Sequence, residues 1–289
     1  MKSMKKIFLM IFLLSSASLS FAESAREIIQ KVDDRDDGVS QYSKQTVATC
    51  KYQIINKKLK CSENPRVKII ESVAKDFGDT GKDSKSLMVI LDPPAERGVS
   101  FLQYDWDAQD RDSDQWMYLS AMGKVKRIIS GDENEPKTGS LFGSEFSYED
   151  IERTHLDDYT YNIKKEATYR NRPVWIIESL PTSQRARKSN YSKSVQWIDK
   201  ERFVPLKSLL YNRRGKLVKQ MTVSDYIIRD GIWVAQKMNM NNKETQRITT
   251  MKLENIALNI TVEDEVFTQR ALTDIAFQQS RLENIRLEK

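Results

Sequence analysis

Few residues of this chain have the types and spacing that catalysis needs. Its single histidine, His155, lies in the polar stretch ERTHLDD, with no nucleophile elbow beside it. A catalytic serine needs a base within hydrogen-bond reach of its hydroxyl, so the sequence favours a plain surface histidine. Paired carboxylates of the kind that hydrolyse glycosides stay open, because two acids that are distant in the chain can meet in space.

Metal, nucleotide and nucleic-acid sites are also disfavoured. The acidic segment 105–114 lacks the central glycine and the terminal glutamate of an EF-hand loop, and the glycine-rich motifs that cradle phosphates do not occur. The formal net charge is +6, of which Lys2, Lys5 and Lys6 supply three, and so small an excess does not predict nucleic-acid binding. The basic segment 185–193 is typical of an exposed hairpin loop. We therefore expect no catalytic residue, metal, cofactor or nucleic-acid partner.

The two cysteines, Cys50 and Cys61, favour a structural disulfide. A hairpin that turns near residues 55–56 would bring them together, and such bonds form in an oxidising compartment. A zinc site is a weaker interpretation, because His155 is far away in the sequence and two thiols make a poor site. A redox-active pair is weaker still, because the chain has no C-x-x-C motif.

The N-terminus predicts export. Three lysines precede a compact apolar run at residues 7–14, and the small residues Ser20 and Ala22 occupy the positions that a signal peptidase reads. The run is too short to cross a bilayer as a helix, although an N-terminal anchor is the alternative. We expect cleavage before Glu23, which leaves residues 23–289 as a single periplasmic domain.

Two helices are expected at the ends of this mature chain. Residues 24–37 predict an amphipathic helix in which Ser24 and Glu27 form a capping box. The second predicted helix, at residues 271–287, places Ile275, Leu282 and Ile285 on one face.

Between the helices the pattern is strand after strand, joined by short turns. Asp230-Gly231 between two alternating runs is typical of a hairpin, and consecutive strands with short turns predict an antiparallel meander. So many strands cannot form a flat sheet, because strands twist. We therefore expect a mainly β fold with a few helices: a strongly curved antiparallel sheet, or incomplete barrel, with helices packed in or over its concave face.

Aromatic side chains on the strands allow two interpretations. They are an ordinary core, or some of them line a cavity for a hydrophobic ligand, in which an acyl chain would gain about 0.8 kcal/mol for each buried CH₂. The candidates for cavity or lid are Phe101, Trp116, Tyr118, Phe142 and Phe146.

Several short motifs follow one another in a fixed order along the chain. They are Asp34-Arg35 with Gly38, Pro94 with RGVSFL at 97–102, WMYL at 116–119, KRI at 126–128 and FGSEFSYED at 142–150. In this order they resemble the LolA-like family of outer-membrane lipoprotein-sorting proteins, in the branch found beside RND-type exporters. The resemblance covers residues 25–272. Ser120 and Glu145 depart from it, because the family usually has proline and aspartate there.

The resemblance implies a carrier with no cofactor and no reaction. We expect a periplasmic protein that binds a lipid or a lipidated protein in an apolar cavity and moves it between envelope sites, with an RND-type exporter as a candidate partner and transient contact with a membrane surface. One alternative is a ligand-free accessory subunit of an envelope transport complex, and a weaker one is an envelope hydrolase.

Overall fold

In the part of the chain that the structure describes, the fold is one continuous antiparallel sheet with four α-helices packed on it. The computed structural model describes residues 23–78, 80–109, 111–130 and 135–287, so the predicted signal peptide lies outside the described residues. The strands are β1 (Ser40–Ile55), β2 (Lys58–Cys61), β3 (Arg66–Phe77), β4 (Asp83–Asp92), β5 (Ser100–Asp105), β6 (Asp114–Leu119), β7 (Lys124–Ile128), β8 (Tyr159–Tyr169), β9 (Arg172–Pro181), β10 (Tyr191–Asp199), β11 (Pro205–Asn212), β12 (Leu217–Arg229), β13 (Ile232–Asn242) and β14 (Arg247–Leu258). The helices are α1 (Ala25–Asp33), α2 (Ser183–Lys188), α3 (Gln269–Thr273) and α4 (Ile275–Leu287).

The sheet runs in the order β7-β6-β5-β4-β3-β1-β14-β13-β12-β11-β10-β9-β8, and β2 pairs only with the end of β1. Most strands pair with their neighbours in the chain, but β1 lies between β3 and β14, and β7 and β8 lie at opposite ends of the sheet. Two strands, β7 and β8, form open edges, since within the described ranges each pairs on one side only. The meander predicted from the sequence is confirmed.

A single loop shows that this sheet is curled. We call residues 135–158 the inner loop. Gln115, on β6, donates its side-chain Nε2 to the carbonyl oxygen of Tyr148 over 3.4 Å, and the hydroxyl of Tyr191, on β10, lies 3.4 Å from that of Ser147. β6 and β10 are nine strands apart, which is about 43 Å across a flat sheet. Since adjacent residues of the loop contact both strands, the sheet wraps around the loop. We call the wrapped face the inner face, and the predicted incomplete barrel is confirmed.

The first half of the inner face, from β14 to β7, is filled by the inner loop. Phe142 and Phe146 of this loop pack onto Phe101 of β5, and the rings of Phe101 and Tyr148 stack with their centroids 5.8 Å apart. The apolar cluster also includes Val47, Ile70, Ile90, Leu141, Met251 and Leu253. The result is a continuous hydrophobic core between loop and sheet.

The outer face of the same half is covered by the C-terminal helices. Leu272 of α3 and Leu282 of α4 are almost fully buried against Val73 and Leu102 of the sheet. The predicted terminal helix is in fact two helices, because Asp274 interrupts it and caps α4 through its carboxylate, which accepts from the backbone N–H of Phe277. Ile275 follows this break and is 47% exposed, so its predicted place on the buried face is wrong.

The helix α1 lies on the inner face of the second half, from β8 to β13. Ser24 and Glu27 form the predicted capping box, and Ile28 packs against Ile177 and Ile198 of the sheet. The helix ends at Asp33 rather than at residue 37, because Asp34 already has non-helical backbone angles. No helix in the described ranges is long and apolar enough to cross a membrane.

The β1–β2 hairpin carries a disulfide between Cys50 and Cys61, as predicted. The turn falls at Asn56 and Lys57, which both have positive φ angles. Cys61 pairs with Tyr52 in the hairpin register, so the disulfide joins two residues that lie diagonally across the ladder. It fastens an exposed hairpin at the edge of the fold and does not contribute to the inner face.

A candidate ligand cavity on the inner face

A cavity of about 400 Å³ lies on the inner face of the second half of the sheet. Its floor is formed by strands β8 to β13, its roof by Ile29 and Val32 of α1, and one wall by residues 149–156 of the inner loop. This volume lies within the range of about 300–1,000 Å³ that is typical of small-molecule sites. The cavity exists because α1 and the inner loop bridge the curved sheet without filling its second half.

Two cross-strand rows form the floor. The first row is Gln196 on β10, Ser208 on β11, Met221 on β12 and Met240 on β13, which are paired in register. The second is Tyr161 on β8, Ser179 on β9, Ser194 on β10 and Leu210 on β11. Both rows line the cavity, so thioether and aliphatic surface lies beside small polar groups.

We call Ser179, Ser194, Gln196 and Ser208 the polar patch. The side chains point to the cavity from three adjacent strands, and none of them carries a charge. Ser208 is 1% exposed, and its hydroxyl has no hydrogen-bond partner in the part of the chain that the structure describes. A buried hydroxyl without a partner carries a free-energy cost of about 1–3 kcal/mol.

The wall from the inner loop is held by a buried glutamate. Glu149 accepts hydrogen bonds from Arg185 Nη2 at 3.0 Å, from the Ser189 hydroxyl, and from both the backbone and the side-chain nitrogen of Asn190 at 2.8 Å. Arg185 belongs to α2, so the segment predicted as an exposed hairpin loop begins in a short, mostly exposed helix from which Arg185 reaches the cavity wall. Arg185 also donates to the hydroxyl of Tyr159 over 3.2 Å.

Two further carboxylates of the inner loop are paired in the same way. Asp150 accepts from the Tyr191 hydroxyl at 2.7 Å and from Lys219 Nζ at 2.6 Å, and Glu152 lies 2.7 Å from Lys137 Nζ. Burial raises the pKa of Glu152, although Lys137 lowers it in part. Burial, followed by the charge of Asp150, raises the pKa of Tyr191. Asp150 fastens the loop to strands β10 and β12, whereas Glu152 pairs with Lys137 within the loop itself.

At the other end of the wall, Arg153 joins the inner loop to α1. Its Nη2 lies 3.6 Å from a carboxylate oxygen of Asp33, and its Nη1 donates to the carbonyl oxygen of Lys82 over 2.7 Å. Asp37 lines the cavity here, and burial raises its pKa. Burial, and then the neighbouring Asp37 carboxylate, raise the pKa of Asp76 to about 6.

The five aromatic candidates from the sequence lie outside the walls of this cavity. Phe101, Phe142 and Phe146 are at most 6% exposed and belong to the core of the first half. Trp116 and Tyr118 pack on the outer face with α3 and α4. Phe142 and Phe146 pack onto the sheet from the inner loop, and a cavity or lid role for any of the five stays a prediction.

The residues that do line the cavity had a weak signal in the sequence. Ser194 and Gln196 alternate with Val195 and Trp197 along β10, a pattern typical of a strand whose polar side faces solvent. Here the polar side faces the cavity instead.

His155 is partly exposed at the end of the inner loop and is not in the cavity wall. Within the described ranges no group of three acidic, histidine or cysteine side chains is placed to hold a metal ion.

The sequence and the fold match known proteins over most of the chain. A family model described as "-like: Uncharacterized protein" matches residues 82–274. A DUF1329 family protein from Desulfovibrio piger ATCC 29098 is 25% identical, with a TM-score of 0.76, over 86% of this chain and 97% of that chain. A domain named as an outer membrane lipoprotein-sorting protein from Vibrio parahaemolyticus is 27% identical, with a TM-score of 0.73, over 86% and 98%.

A third structure extends the likeness in fold alone. A LolA superfamily protein from Nitrosomonas europaea is 17% identical, with a TM-score of 0.62, over 86% of this chain and 98% of that chain. No curated protein sequence matches the chain. Each of the three solved structures covers 86% of this chain.

Proposed function

We propose, from the premise that the chain belongs to the LolA-like family of outer-membrane lipoprotein-sorting proteins, that it is a periplasmic carrier for a lipid or a lipidated protein. The observation that carries this proposal is the cavity of about 400 Å³ between α1, the inner loop and strands β8 to β13. The relative from Vibrio parahaemolyticus is named for lipoprotein sorting, which supports the same class of cargo. An RND-type exporter remains the proposed partner for delivery.

The volume of the cavity limits the cargo to one acyl chain. If a methylene fills about the 30 Å³ that a water molecule takes in the liquid, a cavity of about 400 Å³ holds about 13 methylenes. At about 0.8 kcal/mol each, their burial releases at most about 10 kcal/mol. The polar patch lowers this value. A lipid with several chains would need the inner loop or α1 to move.

The charges of the inner-loop wall favour carriage over hydrolysis. A hydrolase of the glycosidase type needs two carboxylates that are free to exchange protons on either side of a bond. Glu149, Asp150 and Glu152 are instead each paired with a partly buried cation. Groups that are committed to ion pairs in this way position a wall of the cavity.

The alternative is a ligand-free accessory subunit of an envelope complex. This alternative expects the whole molecule to be packed as densely as the first half is around Phe101 and Phe142. It predicts that the second half also stays empty of lipid when membranes are offered, and that the protein co-purifies with a transporter.

Native mass spectrometry on the exported protein, with a fluorescent acyl probe of about eleven carbons, separates the two. We expect co-purified lipid or uptake of one probe molecule per chain. V32W, which places an indole under the roof of the cavity, should abolish uptake. V67W is the matched control, because Val67 is 45% exposed and does not line the cavity. A protein that stays free of lipid and probe would contradict the carrier function.

A further inference from the structure

The polar patch is an unexpected feature in a cavity that would hold an acyl chain. Gln196 and Ser208 face each other across β10 and β11, and Ser179 and Ser194 face each other across β9 and β10. All four line the cavity. A wall that needs only to solvate hydrocarbon would lose nothing with alanine or leucine at these positions, so the patch calls for a ligand with polar atoms.

Ser208 indicates which kind of polar atom the ligand presents to the patch. Its hydroxyl is buried at the floor of the cavity without a partner among the described residues, and a serine hydroxyl or a glutamine amide can donate to a neutral oxygen. No charged side chain belongs to the patch. Glu149 and Asp150 of the cavity wall pair with Arg185 and Lys219, and Lys193, which also lines the cavity, pairs with Glu178. The complementary group is therefore a neutral acceptor and not an ionised head group.

Met221 and Met240 give the direction of the rest of the ligand. They continue the row that begins with Gln196 and Ser208, and methionine side chains adapt to apolar chains of irregular shape. A ligand with its acceptor at Ser208 would lay a hydrocarbon chain along these thioethers and under Ile29 and Val32 of α1. An acceptor joined directly to a hydrocarbon chain is an acyl carbonyl.

We infer that the polar patch is a binding site for the carbonyl oxygen of an acyl ester or amide, with Ser208 as the donor and Gln196 beside it. This inference rests on the proposed carrier function and adds to it the class of linkage that the cavity selects. The site distinguishes an acyl lipid from an alkyl ether of the same length, because a site built to hydrogen-bond a group rejects the analogue that lacks it.

The test measures two lipids against four proteins. The lipids are 1-monolauroylglycerol, which has the ester carbonyl, and 1-O-dodecylglycerol, which lacks it, and both are titrated by displacement of the acyl probe. The wild type should bind the ester about 10-fold more tightly than the ether. S208A should reduce this ratio to less than about 3-fold by weakening the ester alone. S224A is the control, because Ser224 lies on the opposite face of β12, and it should keep the wild-type ratio.

Q196M keeps the length of the side chain and removes its amide, so it carries the test if S208A does not fold. Lauric acid and a lauroyl amide, added as further arms, distinguish a free acid from an ester or amide linkage. An unchanged ester-to-ether ratio in folded S208A or Q196M overturns the inference, as does a wild type that binds both lipids equally. A wild type that binds neither lipid overturns the carrier function, and the inference falls with it.

Discussion

Phe101 on β5 and Leu210 on β11 face the same side of one sheet, yet their surroundings differ. Phe101 is fully buried and contacts Phe142 and Tyr148 of the inner loop. Leu210 is partly exposed; it packs at the border of the same apolar cluster and also lines the cavity. The inner loop reaches both regions, but it fills the first half with aromatic side chains and closes the second half with ion pairs.

The difference shows how one curved sheet can be both stable and hollow. The first half has apolar material on both of its faces, since α3 and α4 cover its outer face. The first half can therefore supply most of the free energy of folding. The second half can then contain a cavity without making the protein unstable. Stability and ligand binding should therefore respond to substitutions in different halves, and three predictions test this division.

The largest effect is expected for F101A. Removing a buried phenylalanine from a packed core costs about 3–5 kcal/mol of unfolding free energy. L210A should cost less than about 2 kcal/mol, because the removed atoms already border a cavity and lose fewer contacts. Urea unfolding of both variants measures the difference, and equal losses would show that the two halves are packed alike.

A smaller effect is expected for E149Q, which tests the ion pair between the inner loop and α2. The substitution leaves the half-buried Arg185 without its anionic partner, and we expect a loss of about 2–3 kcal/mol. Hydrogen exchange should also become faster in residues 141–156. E166Q is the control, since Glu166 is 65% exposed and pairs with Lys200 at the surface, where an ion pair contributes less than about 1 kcal/mol. A loss no larger than that of E166Q would mean that the loop is held by its aromatic core alone.

The smallest effect concerns Asp76, where β3 meets the exit from α1. Its pKa of about 6 in the folded state lies above the ordinary value of 3.8. Between these two values the folded protein keeps a proton that the unfolded chain releases, so this group lowers stability as the pH rises from about 4 to about 6.

D76N removes this titration, and the variant should be more stable than the wild type at pH 7.5 but not at pH 4. The difference in unfolding free energy, measured at several pH values, should therefore grow through this window. D225N, at an exposed position of β12, is the control variant and is measured at the same pH values. If the difference in unfolding free energy between D76N and the wild type did not change with pH, Asp76 would be excluded as a source of pH dependence in this window.

The fold could be predicted from local signals in the sequence. The capping box of Ser24 and Glu27 places α1, and Asp230-Gly231 adopts positive φ angles at a hairpin turn. The alternation of side chains then defines the strands, and their number requires curvature. Each of these signals depends on residues that are only a few positions apart in the sequence.

The cavity could not be predicted, because its position depends on register. Trp116 pairs with Leu102 and not with Phe101, so the aromatic residues that are grouped by the sequence motifs lie on opposite faces of the sheet. Which face is concave depends on contacts between the inner loop and strands nine positions apart. Ser194 and Gln196 have the pattern of a solvated strand face, and only the curled sheet turns that face toward α1.

The unpaired borders of the sheet, β7 and β8, have a consequence for solubility. A sheet that stays unclosed offers two rows of free backbone groups to any neighbouring copy, and such rows can nucleate end-to-end polymers. β7 carries Lys124, Lys126 and Arg127, and β8 carries Lys164 and Lys165. Like charges at both borders repel a second molecule that approaches in register. The molecule can thus remain open without assembling into filaments.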